Sequence, residues 1–402
     1  MLEVVTVEQA EKLILDSFSL PDPDQMVQTT DAVGRVLAQD VFSDVDFPAF
    51  NRSTVDGFAV RVQDIGGCSF SCPAVLNLIG AVEMGEKPSF CLEQGQCVYI
   101  PTGGCLPEGA DAVVMREKTE TFQKDVYVLE PVGTGANYDR RGIDISKGQK
   151  VLNAGKRLNF RDLSILGALG ITEVCVARRP IVSVFSTGNE IVAPGEPCPV
   201  CKIRDANSFF IRRMIENAGG EFKFFGIVPD DKALILEKIR ECISRSDIVV
   251  FSGGSSAGIH DQSELVLDEA GHILFHGVAM KPGKPTICAS VEQKAVFDLP
   301  GNPVAAMFAF TALVEPLIFK FLGYEREAIS FKARCTERIP SNNGRMEYVA
   351  GKYDNSLFQP YFFKSSLLRS LSEVNSYIVI DRQKEGVEKG EEVTVYMWEE
   401  NS

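Results

Sequence analysis

Residues Asp247 to Asp261 read DIVVFSGGSSAGIHD. The apolar run Ile248 to Phe251 ends at Ser252 and opens into Gly253, Gly254, Ser255, Ser256, Ala257 and Gly258. A short unbroken apolar run bounded by small residues predicts a parallel strand buried on both faces. The glycines let the backbone approach a ligand closely, and the bare N–H groups suit phosphate or another oxyanion. The segment from Gln262 looks helical, so Asp261 falls near a helix start, where a carboxylate caps the helix or holds a cation. A tight strand-to-helix turn without any ligand would use the same residues.

Outward from this stretch the pattern alternates. Ile181 to Phe185 is an apolar run ending in Ser186-Thr187-Gly188-Asn189-Glu190. Asp205 to Asn217 reads as an amphipathic helix stopped by Gly219, Phe222 to Val228 as a strand, and Lys232 to Ser244 as a helix. A helix over Ser263 to Ala270, strands near Ile273 to Met280 and Ala295 to Leu299, and a long helix after Pro303 complete the unit. Alternating β and α segments predict a parallel, doubly wound sheet, whose ligands bind at the carboxyl ends of the strands. Those ends carry four polar loops: Ser186 to Glu190, Ser252 to Asp261, Lys281-Pro282-Gly283-Lys284-Pro285 and Leu299-Pro300-Gly301-Asn302-Pro303.

The flanks differ. Residues 5 to 19 carry a helical face of Val7, Ala10, Leu13, Ile14 and Phe18. A strand is expected around Arg35 to Gln39. From Asp46 to about Asp139, short apolar runs between Gly and Pro breaks predict an all-β module closed as a small barrel. Polar loops at Pro101 to Gly104 and Asn137 to Ile145 interrupt it, and residues 161 to 169 read as a short helix. After Gly323, strands are expected at Phe331 to Ile339, Met346 to Lys352, Leu357 to Tyr361, Ser376 to Asp381 and Glu392 to Met397, forming a separate C-terminal β domain.

The 402 residues carry a net charge of -14, which argues against a nucleic-acid or acidic-membrane surface. The N-terminus lacks a basic start followed by an apolar core, so no signal peptide is expected. Val304 to Phe319, broken by Glu315 and Pro316, reads as too short to span a bilayer. The 11 cysteines predict a reducing cytoplasm and free thiols.

Glu190, Asp230, Asp231 and Asp261 fall at or just past strand ends, and converging carboxylates there suit Mg²⁺ bridging to phosphate. Asp231 is better placed to cap a helix. Lys281 and Lys284 flank a stiff Pro-Gly turn, where they would neutralise a phosphate or oxometallate. Pro303 suits the first turn of a helix. Cys198 and Cys201 form a lone CxxC, and His260, His272 and His276 are badly spaced for a metal.

Taken together these motifs resemble the MoeA family of molybdopterin molybdenumtransferases, which includes the E domain of gephyrin. The carrying stretches are Asn51-Arg52-Ser53-Thr54-Val55-Asp56-Gly57, Thr102-Gly103, Ala110 to Val113, Arg140 to Asp144, Ser186 to Glu190, Gly253 to Asp261, and the PGKP and LPGNP loops. The likeness implies four parts. They are a MogA/MoaB-like α/β molybdopterin-binding domain (1–20 and 178–322), a linker domain (21–45 and 145–177), a β-rich domain (46–144) and a C-terminal β domain (323–402). It implies a cytoplasmic homodimer that inserts molybdate into adenylylated molybdopterin with Mg²⁺ and releases AMP. It also implies transient contact with a MogA-type adenylyltransferase and with molybdoenzyme acceptors. By resemblance, Asp56, Thr102, Asp144, Glu190, Asp230 and Asp261 are the functional residues, and the last three hold the metal. Thr187, Gly188, Ser252, Gly253, Gly254, Ser255, Lys281, Lys284, Pro300, Gly301, Asn302 and Pro303 would bind substrate. The Asp56 and Thr102 loops would face the partner's α/β domain. Arg52, Asn189, Ser255 and Ala257 depart from the family pattern, which usually has asparagine, aspartate, valine and valine there. The rival readings are MogA-type adenylylation of molybdopterin and a non-enzymatic molybdopterin-binding scaffold.

Overall fold

The Ile248–Gly253 strand is buried at every residue. It lies inside a six-stranded sheet ordered Glu221–Val228, Ile181–Thr187, Ile248–Gly253, Lys294–Pro300, Ile287–Val291, His272–His276. The computed structural model describes residues 4–19, 24–253, 260–325, 328–362 and 369–398, with His260, Asp261, Arg369 and Ser370 described by backbone alone. Alternate side chains of the central strand enter different cores. Ile248 and Val250 pack with Val182 and Val184 on one face, and Val249 and Phe251 pack with Phe185 on the other. Helices on both faces therefore require an apolar residue at every position of the strand.

The first four strands of that order run parallel. The sheet is nonetheless mixed, not wholly parallel as the alternation predicted. Ile287–Val291 returns antiparallel to Lys294–Pro300. The hairpin turns through Glu292 and Gln293 at φ 49° and 63°. These are the left-handed values of a type I′ turn, made here without the Asn or Gly that usually announces one. The expected Ile273 to Met280 strand also divides. His272–His276 stays in this sheet, and Met280–Lys281 joins the C-terminal one.

Helix Pro303–Ala309 continues through a π-helical stretch, Phe310–Val314, into Glu315–Leu322. Pro316 has no N–H to donate and would clash with the carbonyl four residues back, and the wider turn accommodates it. The whole helix, Pro303–Leu322, is long and apolar enough to cross a membrane by length and composition, contrary to the sequence expectation. Its apolar residues are used internally: Phe308, Phe310, Leu313, Val314, Leu317 and Ile318 are buried in the α/β core. Helix Val7–Ser17, started by a Thr6/Gln9 capping box, contributes Val7, Ala10 and Ile14 to the same core. Leu13, expected on that face, is exposed. Lys320 Nζ donates to the carbonyls of Leu15 and Phe18 and holds the end of this helix.

Gln25–Gln28 pairs with Glu173–Val176, and Val41–Phe42 with Lys150–Leu152. Arg35 to Gln39 forms only isolated bridges, Val36 with Arg157 and Leu37 with Val176. The next module is a six-stranded sheet running from Ala112–Met115 to Thr119–Phe122. Those outer strands share no ladder among the described residues, so the expected barrel does not close. Phe58 and Val60 meet one core and Ala59 another, which covers both faces without closure. The closed ring is instead C-terminal. Met346–Asp354 pairs with Leu357–Pro360 and Ser376–Ile380, and Ser330–Cys335 with Glu392–Met397 completes the circle. Met280–Lys281 adds to it as a short parallel strand.

Candidate functional site

Strand order reverses between Ile181–Thr187 and Ile248–Gly253, so their carboxyl ends flank the topological switch point where open α/β sheets bind ligands. The two ends touch. A Cβ on Gly253 would lie 2.6 Å from Thr187 Oγ1, so only glycine fits without displacing that side chain. Pro300 continues the rim beside Gly253 in register. Asn302 caps the following helix by accepting from Ala305 N at 3.2 Å, and Pro303 occupies its first turn.

A polar brace that sequence reading missed supports this rim. Ser186 Oγ donates to Asp205 Oδ2 at 2.8 Å, and Asp205 Oδ1 accepts from Ser208 N at 3.2 Å. Asn207 Nδ2 donates to Ser252 Oγ at 3.3 Å and to the Gly301 carbonyl at 3.0 Å, joining two rim loops. Asp205, Asn207 and Ser208 are all buried. Asn207 Oδ1 is buried with no partner among the described residues. The available signal was a run of polar residues, Asp205, Asn207 and Ser208, at the start of a helix whose other inward positions are apolar.

The Gly188 loop ties one predicted acid, Asp230, to the residue next to another, Glu190. Asn189 N donates to Asp230 Oδ2 at 3.1 Å, and Asp230 N donates to Asn189 Oδ1 at 3.3 Å. Glu190 folds back so that a Cβ on Gly188 would meet its Oε2 at 2.9 Å. Lys202 Nζ donates to the Asn189 carbonyl. Asp231 caps helix Lys232–Ile243, accepting from Ala233 N at 2.9 Å and Leu234 N at 3.0 Å, which is the structural role the sequence favoured. Asp261 lies at the start of helix His260–Ala270. Its side chain, Gly254 and Ser255 lie outside the described residues. Among the described residues no three or more His, Cys, Asp or Glu side chains form a metal-sized group. Asp230 Oδ1 is nonetheless buried and has no hydrogen-bond partner among the described residues, and a buried carboxylate oxygen left so suits a divalent cation. Cys198 and Cys201 are exposed free thiols.

The two lysines of the Pro282-Gly283 turn differ in their surroundings. Lys281 is about half exposed and already paired: its Nζ lies 2.7 Å from Glu347 Oε1 on the C-terminal ring. Residues 281 and 347 are direct partners across the Met280–Lys281 ladder, which forces the contact. Lys284 is exposed and has no ion pair among the described residues. A cavity of 480 Å³ lies between the Pro282 and Asn302 loops and the ring, with Lys281 and Glu347 in its wall.

Asp298 is fully buried one residue before the Leu299-Pro300 rim. Burial raises its carboxyl to about 7, partly opposed by a hydrogen bond to Ser263.

The remaining predicted residues sit on the N-terminal β module. Asp56 Oδ1 accepts from Thr102 N at 2.7 Å and Thr102 Oγ1 at 3.0 Å. The backbone N–H first, and then the hydroxyl, hold Asp56 below the ordinary carboxylate range. Thr54 N donates to the Asn137 carbonyl, and Asp144 N to that of Phe47, so the three loops are laced together. Asp144 is exposed. Arg52, at a departing position, pairs with Asp139 at 3.2 Å. Within one chain, no hydrogen bond or ion pair among the described residues joins this set to Glu190, Asp230 or the switch-point loops.

Comparison with known proteins gives three regional matches in order. They are the MoeA N-terminal region (domain I and II) over residues 5–170, a "Probable molybdopterin binding domain" over 183–320, and the MoeA C-terminal region (domain IV) over 332–398. A molybdopterin molybdenumtransferase of Haemophilus influenzae is 32% identical, with 98% of each chain covered. One of Nostoc sp. is also 32% identical, over 92% of this chain and 88% of the relative. The crystal structure of a molybdopterin biosynthesis MoeA protein from Pyrococcus horikosii superposes with a TM-score of 0.89 at 36% identity, covering 98% of this chain and 99% of that one. With likeness of this degree along its whole length, the chain belongs to the MoeA family.

Proposed function

We propose that this chain is a molybdopterin molybdenumtransferase, inserting molybdate into adenylylated molybdopterin and releasing AMP. The observation that carries the reading is the braced glycine rim at the switch point, with Glu190 and Asp230 beside it, on a chain alike end to end to named transferases. The N–H groups of the loop opening at Gly253 take the phosphoryl oxygens of the substrate, where no Cβ stands in the way. Glu190 and Asp230, with Asp261, are the residues to hold Mg²⁺; when bound, that ion would polarise the phosphoanhydride. Asn207 and Asp205 fix the loops, so the rim need not reorganise as charge develops. Molybdate, the second substrate, docks towards the Pro300–Pro303 turn. Asp56, kept ionised by Thr102, and Asp144 act from the partner subunit of a homodimer, in the cytoplasm. Separation of the two residue sets within one chain supports that arrangement.

The adenylyltransferase reading would leave the Asp56–Thr102 clamp without a task. Purified protein supplied with adenylylated molybdopterin, molybdate and Mg²⁺ should release AMP and yield molybdenum cofactor. No AMP release from folded protein rejects the proposal, and adenylylated product formed from molybdopterin and ATP would establish the rival.

A further inference from the structure

The cavity between the Pro282 and Asn302 loops and the C-terminal ring holds a charge arrangement that rim chemistry alone does not explain. Glu347 is buried, at 8% exposure. Its Oε1 accepts from Lys281 Nζ at 2.7 Å and its Oε2 from Ser341 Oγ at 2.7 Å. An ammonium and a hydroxyl converging on two oxygens of one anion form the donor set a tetrahedral oxyanion would use. The Lys281 side chain is about half exposed, so it can turn from the carboxylate into the cavity, whereas Glu347 is fixed on its strand.

We propose that Glu347 is an internal competitor for the oxyanion: it occupies Lys281 in the resting protein and sets how tightly, and with what charge, an anion is admitted. The inference rests on the transferase reading, which makes molybdate a substrate, and adds the residue that limits its binding. An entering anion must take Lys281 from a carboxylate that stays behind as a buried like charge, so every anion pays for breaking the pair and the repulsion grows with the anion's charge. Removing the carboxylate lifts both penalties, and the repulsive one falls most for a dianion.

The test is molybdate binding to the full chain by calorimetry, with sulfate and nitrate as further probes. Glu347→Gln keeps the shape and the Ser341 contact while removing the charge. It should tighten molybdate binding by about tenfold, and nitrate binding by a smaller factor. Lys281→Met in the same background should abolish the gain. Glu347→Leu, an apolar replacement suited to a buried position, gives a second route to the same charge removal. Unchanged or weaker molybdate binding in either folded variant overturns the proposal. So does failure of both variants to fold, since the pair would then be structural support. AMP release by the wild-type protein separates the two levels. Turnover with unchanged variant affinity rejects Glu347's role alone, and absent turnover rejects the transferase reading.

Discussion

Asp298→Asn should change how stability depends on pH. The carboxyl of Asp298 is fully buried and raised from 3.8 to about 7 by desolvation, with the Ser263 hydrogen bond opposing. Each unit of such a shift corresponds to about 1.4 kcal/mol, so the ionised form costs about 4 kcal/mol of folding stability. The sign follows from proton binding. Because the folded-state value is raised, the folded protein keeps a proton that the unfolded chain has released. The contribution is complete below 3.8 and is lost as pH rises through about 7. Between about pH 5.5 and pH 8.5, the wild type should lose about 2 kcal/mol relative to the asparagine variant, which has no proton to release and keeps the Ser263 contact. Urea denaturation of both proteins across that interval measures the difference, and groups common to both cancel in the comparison. Parallel stability curves would refute a buried, titrating Asp298.

Subunit mixing tests the divided site. Asp56→Ala and Glu190→Gln homodimers should each be inactive, while a mixed dimer regains turnover because one interface keeps both residues; no recovery in verified heterodimers would place the two acids in one chain's site. Gly253→Ala should cost about 1–3 kcal/mol by pressing on Thr187, and adding Thr187→Ala should recover much of it in thermal melts; additive losses would deny the contact. Asn207→Ala should cost about 1–3 kcal/mol by leaving the Gly301 carbonyl and Ser252 unmatched, with a larger fall in turnover than in denaturation midpoint; a fall confined to stability would limit Asn207 to packing.

The sequence by itself determined the alternation of strands and helices in the α/β unit from Ile181 to Ala270, though not the strand Ile287–Val291. It also located the switch-point loops, because an unbroken apolar run such as Ile248 to Phe251 is what burial on both faces demands and small residues mark where the backbone must lie bare. It located Asp56 and Thr102 only through family likeness, since nothing in local spacing says that a residue 46 positions away will hydrogen-bond a carboxylate. Only the tertiary structure decided that Ile287–Val291 turns back through Glu292 and Gln293, that the ring closes at the C-terminus and not in the N-terminal module, and that Lys281 faces Glu347. Asp205, Asn207 and Asp298 were hidden for the same reason. A polar side chain at a helix start or strand end looks alike in sequence whether water or a buried partner satisfies it, and only packing says which.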